Sequence, residues 1–374
     1  MRILYITTIG TTMGFFRSLI RELIDGGNTV DIATNETEAP VSECYREWGC
    51  NVHAISCTRS PFSVGTVKAI REIRKIVKEG QYDIVHCHTP IAAMCTRIAC
   101  QSFREKGLKV IYTAHGFHFY KGAPLKNWLV YYPVEKLCSY FTDVLITINQ
   151  EDYALAQKKM RARRIEYVPG VGIDVAKFRD AEVDRDEKRR ELGIPEDALL
   201  LVSVGELNEN KNHQIVIRAM AELKDPKIHY AIAGRGDSKD MLLKLAEELG
   251  VGAQFHLLGY RRDIAQLYKS ADICVFPSIR EGLPVALMEA MACGLPLVSS
   301  DNRGSKDCAS HRDNGLLCRA DSVEEFAAAI RMLKYDTSQR NRMGSKNRER
   351  AEVYDVKHIN KRMKSIYAAL DLKK

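Results

Sequence analysis

No stretch of this 374-residue sequence contains the roughly 18 consecutive apolar residues of a membrane-spanning helix. The apolar run within Met1–Thr8 is too short for a signal peptide, and no small-residue cleavage site follows it. Glycine (24 residues) and proline (11 residues) are too few for a collagen-like or low-complexity chain. No segment resembles a nucleic-acid-binding module. These absences predict a globular protein of the cytoplasm that has no nucleic-acid partner.

The sequence also lacks the cysteine spacings of metal sites and redox motifs. Its eleven cysteines form no Cys-x-x-Cys pair and no zinc-binding pattern with histidine. Several, such as Cys274, lie in apolar runs, where cysteine behaves as a small hydrophobic residue. We therefore expect reduced, structural thiols and no metal site.

The net charge of +8 is concentrated in two segments. Residues 335–374 hold eleven Lys or Arg against five Asp or Glu. The second segment is a basic cluster formed by Lys158, Lys159, Arg161, Arg163 and Arg164. Basic surface suits nucleic acid, anionic lipid or phosphate ligands. A solvated helix face explains the C-terminal segment equally well.

The sequence does contain short β-branched runs that alternate with longer amphipathic helical patterns. Ten runs are expected to form strands: Ile3–Thr8, Val30–Thr34, Ile84–Cys87, Val110–Thr113, Val144–Ile148, Leu199–Val204, Ile228–Ala233, Phe255–Leu258, Ile273–Phe276 and Pro296–Ser299. Short buried strands that alternate with helices form βαβ units and a parallel sheet. A Pro/Gly-rich segment, Val168–Asp174, separates two halves that each open with a strand, a glycine-bearing turn and a helix.

The predicted fold is therefore α/β, with two doubly wound, Rossmann-like domains that face each other across a cleft. The first domain is expected at residues 1–170 and the second at 171–350. A C-terminal helix at 351–374 is expected to return to the first domain. Sheets of this kind bind ligands at the carboxyl ends of their strands, and clefts between domains are common ligand sites.

The segment Pro277–Pro296 carries the most information about function. A strand ends just before it, Glu281 follows in a loop, and Pro284 begins a helix that contains Glu289. The free N–H groups of the first helical turn can bind phosphate without a side-chain cation. The two carboxylates can accept hydrogen bonds from a sugar and from a ribose on either side of that phosphate. Alternatively, Glu289 is an exposed helix residue and Glu281 an acid at a helix start.

Four further motifs lie at predicted strand ends. Lys211 follows a turn at Gly205 and can reach a diphosphate, although a solvated surface lysine explains it as well. Arg235 lies between two glycines that allow the backbone to approach a ligand. Tyr260 follows the next strand, and His115 follows a strand of the first half. Because ligands bind at the carboxyl ends of the strands, this co-location indicates a ligand site.

Together these motifs resemble those of a family 4 glycosyltransferase of the GT-B fold, over nearly the whole chain. The residues that carry the resemblance are the Glu281-x7-Glu289 pair, the Val204-Gly-x-Leu207 turn with Lys211, Gly259 with Asp263, and His115-Gly116. A closer similarity is to the EpsD/CapM-like branch, which builds capsular and exopolysaccharide repeat units on a lipid carrier. That similarity lies in Asp83–Pro90, Tyr112–Trp128, Ser278–Glu281 and Asp301–Gly304.

The resemblance implies a retaining, metal-independent enzyme without a cofactor, which moves a sugar from a nucleotide diphosphate, expected to be UDP, to an acceptor hydroxyl. It implies the catalytic residues His115, Lys211 and Glu281. For the donor it implies Gly10, Gly14, Gly205, Lys211, Arg235, Tyr260, Glu281, Gly282, Leu283 and Glu289. In these roles Glu289 holds the ribose and Lys211 neutralises the leaving diphosphate.

One position departs from the family pattern. Many members carry Arg where this sequence has Glu206, and a carboxylate cannot pair with a diphosphate. The candidate replacement cations are Arg235, Arg261 and Arg280. Arg59 and His118 are the candidate acceptor-binding residues, although a plain turn and a structural histidine would explain them too.

The expected acceptor is a glycan linked to polyprenyl diphosphate, used in capsular or exopolysaccharide biosynthesis at the inner face of the plasma membrane. The aromatic segment Trp128–Phe141 fits peripheral contact with a membrane, but a core helix under the first sheet is the simpler interpretation. Three alternatives stay open: a glycosyltransferase with a small soluble acceptor, a non-catalytic nucleotide-sugar-binding protein, and an epimerase of the same fold.

Overall fold

A computed structural model describes residues 1–58 and 64–372 of the chain. The chain divides into two compact units. Unit 1 consists of Met1–Val171 together with Lys357–Lys374, and unit 2 is Gly172–Val356. The expected second boundary, after residue 350, falls too early, because Tyr354 and Val356 are hydrogen-bonded through their backbones to Ile173 of unit 2.

Each unit contains one sheet in the part of the chain that the structure describes. The strands of unit 1 are β1 (Arg2–Ile9), β2 (Thr29–Asn35), β3 (Val52–Ala54), β4 (Ile84–His88), β5 (Lys109–Ala114), β6 (Val144–Thr147) and β7 (Arg164–Tyr167), in the spatial order β3-β2-β1-β4-β5-β6-β7. Those of unit 2 are β8 (Leu199–Val204), β9 (Ile228–Ala233), β10 (Phe255–Gly259), β11 (Ile273–Phe276), β12 (Leu297–Ser300) and β13 (Gly315–Cys318), in the order β10-β9-β8-β11-β12-β13. All neighbouring strands pair in parallel. The predicted fold class, with two parallel-sheet α/β domains, is confirmed.

Helices connect these strands in both units. In chain order they are α1 (Arg17–Asp25), α2 (Cys44–Glu47), α3 (Val64–Gly80), α4 (Pro90–Arg104), α5 (Leu125–Ser139), α6 (Gln150–Lys159), α7 (Val175–Arg179), α8 (Arg185–Glu191), α9 (Gln214–Leu223), α10 (Lys239–Glu248), α11 (Ile264–Ser270), α12 (Val285–Cys293), α13 (Arg303–Cys308), α14 (Val323–Tyr335), α15 (Thr337–Ala351) and α16 (Val356–Ala368). Short 3-10 turns lie at Gly10–Phe16, Glu209–Lys211, Gly252–Gln254 and Glu352–Tyr354. Within the described residues, no helix combines the length and the apolar character needed to cross a membrane.

The sheet of unit 1 is covered on both faces by helices. Successive side chains of a strand point to opposite faces. Leu4 and Ile6 of β1 accordingly belong to a buried cluster with α3 and α4, whereas Ile3 and Tyr5 belong to a cluster with α1 and α16. The C-terminal helix α16 therefore completes the core of unit 1.

The eleven cysteines of the chain are free thiols. All except Cys44 are buried. Burial raises the pKa of the Cys138 thiol to about 11, which keeps it protonated at neutral pH. The burial of these side chains agrees with a structural role for most of the cysteines.

A chain of buried polar groups fastens α16 to the sheet. The Tyr367 hydroxyl shares hydrogen bonds with the Tyr5 hydroxyl at 2.5 Å and with Nδ1 of His86 at 2.6 Å, and Nε2 of His86 contacts the Thr113 hydroxyl at 2.8 Å. A buried polar group that loses its partner destabilises the folded state by about 1–3 kcal/mol. These contacts therefore contribute to the stability of unit 1.

We expect Tyr367→Phe to lower the free energy of unfolding by about 1–3 kcal/mol, because two buried partners lose a hydrogen bond. Denaturant unfolding followed by circular dichroism measures the change. Tyr335→Phe is the matched control, since the Tyr335 side chain is 75% exposed and should leave stability unchanged. Equal stability of the two variants would contradict the anchoring role of Tyr367.

Candidate active site

The sheet of unit 2 reverses its strand order between β8 and β11. In open parallel sheets, ligands bind beyond the carboxyl ends of the strands at such a point. Lys211 ends the 3-10 turn that follows β8, and Glu281 lies in the loop between β11 and α12. Two of the residues predicted to be catalytic therefore lie on either side of the switch point.

Hydrogen bonds join these two loops. The Asn210 side chain donates to the carbonyl of Arg280 at 3.0 Å, and the amide of Ile279 donates to the carbonyl of Asn210 at 2.8 Å. The Asn208 side chain accepts from the amide of Lys211 at 3.0 Å. The loops are thus held in a fixed relation before any ligand binds.

Lys211 and Glu281 form an ion pair at this junction. Nζ of Lys211 donates to Oε1 of Glu281 at 2.7 Å, and the two side chains are only 19% and 16% exposed. Nζ also lies 4.9 Å from the centre of the Phe276 ring. Partial burial strengthens such a pair relative to an exposed one. The ammonium group is therefore held in place beside the strand ends.

The glycines near Arg235 allow two loops to touch each other. A Cβ atom at Gly234 would lie 1.7 Å from the Gly205 carbonyl oxygen, and one at Gly236 would lie 2.3 Å from the Leu207 carbonyl oxygen. The Leu207 amide also donates to the Arg235 carbonyl at 2.9 Å. The sequence predicted that these glycines allow the backbone to approach a ligand. In the structure they allow the loops after β8 and β9 to contact each other.

Two residues of α13 contact the backbone of the loop that contains Gly282 and Leu283. Nε of Arg303 donates to the Glu281 carbonyl at 3.2 Å, and a Cβ atom at Gly304 would lie 2.6 Å from the Gly282 carbonyl oxygen. Within the described residues, the amides of Gly282 and Leu283 donate no hydrogen bond. They precede the N-terminus of α12, where backbone N–H groups and the helix dipole favour an anion.

Glu289 lies in the middle of α12 and is partly buried. Burial raises the pKa of its carboxyl group to about 7, and the positive charge of Lys177 opposes that rise. The alternative that Glu289 is an ordinary exposed helix residue is therefore wrong. A carboxyl group titrating near neutral pH is a common feature of functional sites.

Unit 1 has its own switch point, between β1 and β4. Thr8 lies near the end of β1 and Thr89 directly follows β4, and their hydroxyls share a hydrogen bond of 2.7 Å. A pocket opens there, and it is lined by Thr8, Ile9, Thr12, Thr89, Pro90, Ile91, His118 and Tyr131. The His118 ring stacks on Tyr131 with centroids 4.6 Å apart. The predicted acceptor residue His118 thus lines a pocket at the strand ends of unit 1.

His115 directly follows β5 and contacts His88 at the end of β4. Nε2 of His115 lies 3.1 Å from Nδ1 of His88. Both histidines line a second, small pocket together with Phe16 and Gly170. Burial lowers the pKa of His115 to about 4, so its imidazole is neutral at pH 7.

Three further residues of unit 1 were predicted to bind donor or acceptor: Gly10, Gly14 and Arg59. Gly10 is buried against the backbone of residues 39–41, where a Cβ atom would lie 2.5 Å from the Ala39 carbonyl oxygen. Packing therefore explains Gly10 without a ligand. Gly14 is exposed, with open space at its Cβ position. Arg59 lies outside the described residues.

Comparisons with known proteins identify the family of the chain. Residues 184–350 match the model described as glycosyl transferases group 1, and residues 2–149 match glycosyl transferase 4-like. EpsD of Bacillus subtilis strain 168, a protein assigned as a glycosyltransferase, is 36% identical over 91% of this chain and 95% of its own length. The chain belongs to the GT4-like glycosyltransferases.

Two further proteins are similar to this glycosyltransferase, one in sequence and one in structure. An Escherichia coli protein named UDP-Gal:alpha-D-GlcNAc-diphosphoundecaprenol alpha-1,3-galactosyltransferase is 29% identical, over 71% of this chain and 69% of that protein. The crystal structure of HepE from Anabaena in complex with UDP superposes with a TM-score of 0.82 at 22% identity, over 99% of this chain and 100% of that one. The superposition with HepE confirms the GT-B fold class.

The unusual Glu206 of this glycosyltransferase points to solvent. Its side chain is exposed and accepts a hydrogen bond from the side-chain amide of Asn208 at 2.8 Å. Of the candidate replacement cations, Arg261 is engaged by Asp263 and Glu191 at 2.5 and 2.6 Å. The remaining candidates are Arg235, which lies over the exposed Tyr260 ring at 5.5 Å, and Arg280, whose side chain has no polar partner within the described residues.

Two residues that contact the candidate site residues were not among those predicted from the sequence. His88 lies within Asp83–Pro90, which was used only for the family resemblance, yet it contacts His115. Arg303 lies in a segment used only for the family resemblance, yet it positions the Glu281 backbone. The available signal was the strand-end position of His88, since the carboxyl ends of adjacent parallel strands share one edge of the sheet.

Proposed function

We propose that this glycosyltransferase moves a sugar, with retention of configuration, from a UDP-sugar to a glycan linked to polyprenyl diphosphate during capsular or exopolysaccharide biosynthesis. The observation that carries the proposal is the Lys211–Glu281 pair at the switch point of unit 2, next to the backbone amides of Gly282 and Leu283, which have no partner among the residues that the structure describes. The names of the Escherichia coli relative and of the UDP complex of HepE support the acceptor and the nucleotide.

In the proposed complex, the diphosphate of the donor lies against the Gly282 and Leu283 amides. Glu289 accepts hydrogen bonds from the ribose hydroxyls, and Glu281 contacts the donor sugar. As the bond between sugar and phosphate breaks, negative charge grows on the leaving diphosphate. Lys211 stabilises that charge more in the transition state than in the ground state, which lowers the barrier.

We further propose that the transfer needs no metal ion. The support is the supply of positive charge in unit 2 itself: the Lys211 ammonium, the Arg280 and Arg235 side chains and the amides before α12. These groups can offset a diphosphate charge by electrostatic stabilisation alone. Turnover is therefore expected to persist when EDTA is present.

The experiment that tests the proposed function is nucleotide release from a panel of UDP-, GDP- and ADP-sugars, with and without a membrane lipid extract and EDTA. Release from a UDP-sugar only when lipid is present supports the lipid-linked acceptor. Lipid-independent release favours a soluble acceptor or hydrolysis. Binding of donor without any release would contradict catalysis.

Helix α5 supports a peripheral membrane contact as part of this function. Trp128, Tyr131 and Tyr132 pack against the core of unit 1, but Leu129 and Leu137 are 68% and 60% exposed. The other exposed apolar residues of this face are Leu125, Val130, Val134 and, just after the helix, Tyr140. The interpretation of a core helix is therefore right for one face and wrong for the other.

The charges around the exposed face of α5 favour an anionic lipid surface. Glu135, the one carboxylate in the sequence of α5, is buried and pairs with Arg97 at 2.9 Å. Lys136 donates to the Lys159 carbonyl, and the Arg161 amide donates to the Ser139 hydroxyl at 2.8 Å. The basic cluster at 158–164 thus adjoins α5. Aromatic and apolar residues flanked by cations suit the surface of an anionic bilayer.

We expect Leu129→Glu/Leu137→Glu to weaken binding to anionic vesicles about tenfold or more, because two leucines no longer enter the lipid surface. Flotation with phosphatidylglycerol-containing vesicles measures the bound fraction. Leu243→Glu on α10 is the matched control, since Leu243 is also exposed but lies in unit 2. Unchanged binding of the double variant would show that α5 is not the contact surface.

A further inference from the structure

Three histidine rings lie together in unit 1, at the carboxyl ends of β4 and β5. The rings of His86 and His88 have centroids 4.2 Å apart, and His88 stacks on Phe16 at 4.0 Å. His88 is 1% exposed, whereas His115 is partly exposed. His88 is therefore an interior group whose polar contact is with the more accessible His115, at 3.1 Å.

Both members of the His88–His115 pair are neutral at physiological pH. Burial lowers the pKa of His115 to about 4 and lowers that of His88 well below its usual value. The neighbouring His86, with its pKa lowered to about 3, adds no charge. In a neutral imidazole one nitrogen carries the hydrogen and the other accepts. The contact between Nδ1 of His88 and Nε2 of His115 therefore has one donor, and its direction fixes both tautomers.

The surroundings of His88 Nε2 decide that direction. This atom is buried and has no hydrogen-bond partner within the described residues. If His115 were the donor, His88 would carry its hydrogen on Nε2 as an orphaned buried N–H group, which is rare in folded proteins, whereas unpaired acceptors are less rare. The lower-cost arrangement places the hydrogen of His88 on Nδ1, where it is donated to His115.

We propose that His88 is a positioning residue that donates from Nδ1 to Nε2 of His115 and so holds His115 as the tautomer with its hydrogen on Nδ1. The Nδ1 atom of His115 makes no hydrogen bond within the described residues, and the side chain lines the small pocket that Phe16 and Gly170 also line. His115 then offers a ligand an N–H donor, which selects an oxygen acceptor such as a sugar hydroxyl. This role rests on the proposed function, whereas the tautomer itself does not.

The consequence for the reaction is that His115 is not a general base. A base needs a free lone pair, and the remaining lone pair of His115 is occupied by His88. The proton of the acceptor hydroxyl then passes to an oxygen of the leaving diphosphate, while His115 orients the sugar. The proposed positioning role is therefore expected to affect kcat more than KM.

The test uses the full chain with ¹⁵N-labelled imidazole rings and long-range ¹H–¹⁵N spectra at physiological pH. The His115 signals are assigned with His115→Gln. We expect a pyrrole-type shift for Nδ1 and a pyridine-type shift for Nε2 in the unmutated protein. The reverse assignment, or a charged ring, would overturn the proposal. Because no substrate is needed, this result is independent of the proposed function.

Two variants of His88 separate positioning from simple packing. In His88→Asn the side-chain amide supplies an N–H close to the place of Nδ1, so the His115 tautomer and kcat should be retained. In His88→Phe the donor is lost, and we expect mixed tautomers and a roughly tenfold lower kcat with little change in KM. Equal losses in both variants, or unchanged His115 shifts in His88→Phe, would overturn the proposal.

The control is a second histidine pair of similar geometry in unit 2, where His229 Nδ1 lies 3.0 Å from His256 Nε2. His256→Phe should leave the His115 shifts and kcat unchanged. Thermal unfolding shows whether His88→Phe is folded. If it is not, the unmutated protein and His88→Asn decide the question.

Discussion

Lys211→Ala is expected to lower kcat about 10²- to 10³-fold while donor affinity falls less than tenfold. The Lys211 ammonium is held 2.7 Å from Glu281, in a partly buried setting where an electrostatic interaction is stronger than in water. Its proposed role is to stabilise charge that develops only as the diphosphate leaves. Single-turnover kinetics and UDP-sugar binding by calorimetry separate the two effects.

The Lys211 result needs two controls. Lys244→Ala removes a lysine whose side chain is 78% exposed on α10, and it should leave both parameters unchanged. Lys211→Ala/Glu281→Gln removes the carboxylate that the single variant leaves unpaired. Recovery of activity in the double variant would assign the loss to that unpaired charge. A loss confined to donor affinity would contradict a transition-state role.

Glu289→Gln is expected to stabilise the protein at about pH 8 by about 1–3 kcal/mol and to leave its stability almost unchanged near pH 4. The folded-state pKa of Glu289 is raised to about 7, so the folded chain binds its proton more tightly than the unfolded chain does. Stability is therefore lost as the pH rises from the unfolded pKa, about 4.3, through 7. Glutamine cannot ionise and avoids this loss.

The same Glu289→Gln variant is expected to bind UDP about tenfold more weakly, because hydrogen bonds to a charged acceptor are about twice as strong as neutral ones. Melting temperatures at both pH values and UDP titrations measure the two effects. Glu248→Gln, at a side chain 59% exposed, is the control and should show neither. A Glu289→Gln variant that is not stabilised at high pH would contradict the buried environment assigned to Glu289. Normal UDP binding by this variant would contradict the proposed role at the ribose.

The buried strands could be predicted from the sequence, but most of the edge strands could not. Strands covered by helices on both faces consist of continuous aliphatic runs, which identify them. The strands that the pattern does not reveal, β3, β7 and β13, all lie at sheet edges. β7 contains Arg164 and Glu166 and has no fully buried residue, so it has no apolar run to recognise.

The candidate site was predictable where it depends on strand ends and not where it depends on side-chain contacts. Lys211 and Glu281 are 70 positions apart, yet both follow adjacent strands of the sheet. The contact between His88 and His115 depends on the register of β4 and β5, which pairs His88 with Thr113. The exposed leucines of α5 could not be foreseen either, since apolar helix residues usually face a core.

The packing of α16 onto β1 has a consequence for the order in which the protein can fold during synthesis. Unit 2 is one continuous segment and can complete its core as soon as residue 356 has left the ribosome. Unit 1 starts first, with β1, but its core lacks Ile359, Met363 and Tyr367 until these residues have been made, which is after the last residue of unit 2. The first unit to be translated is thus the last to close, and until then the face of its sheet that binds α16 is available to chaperones.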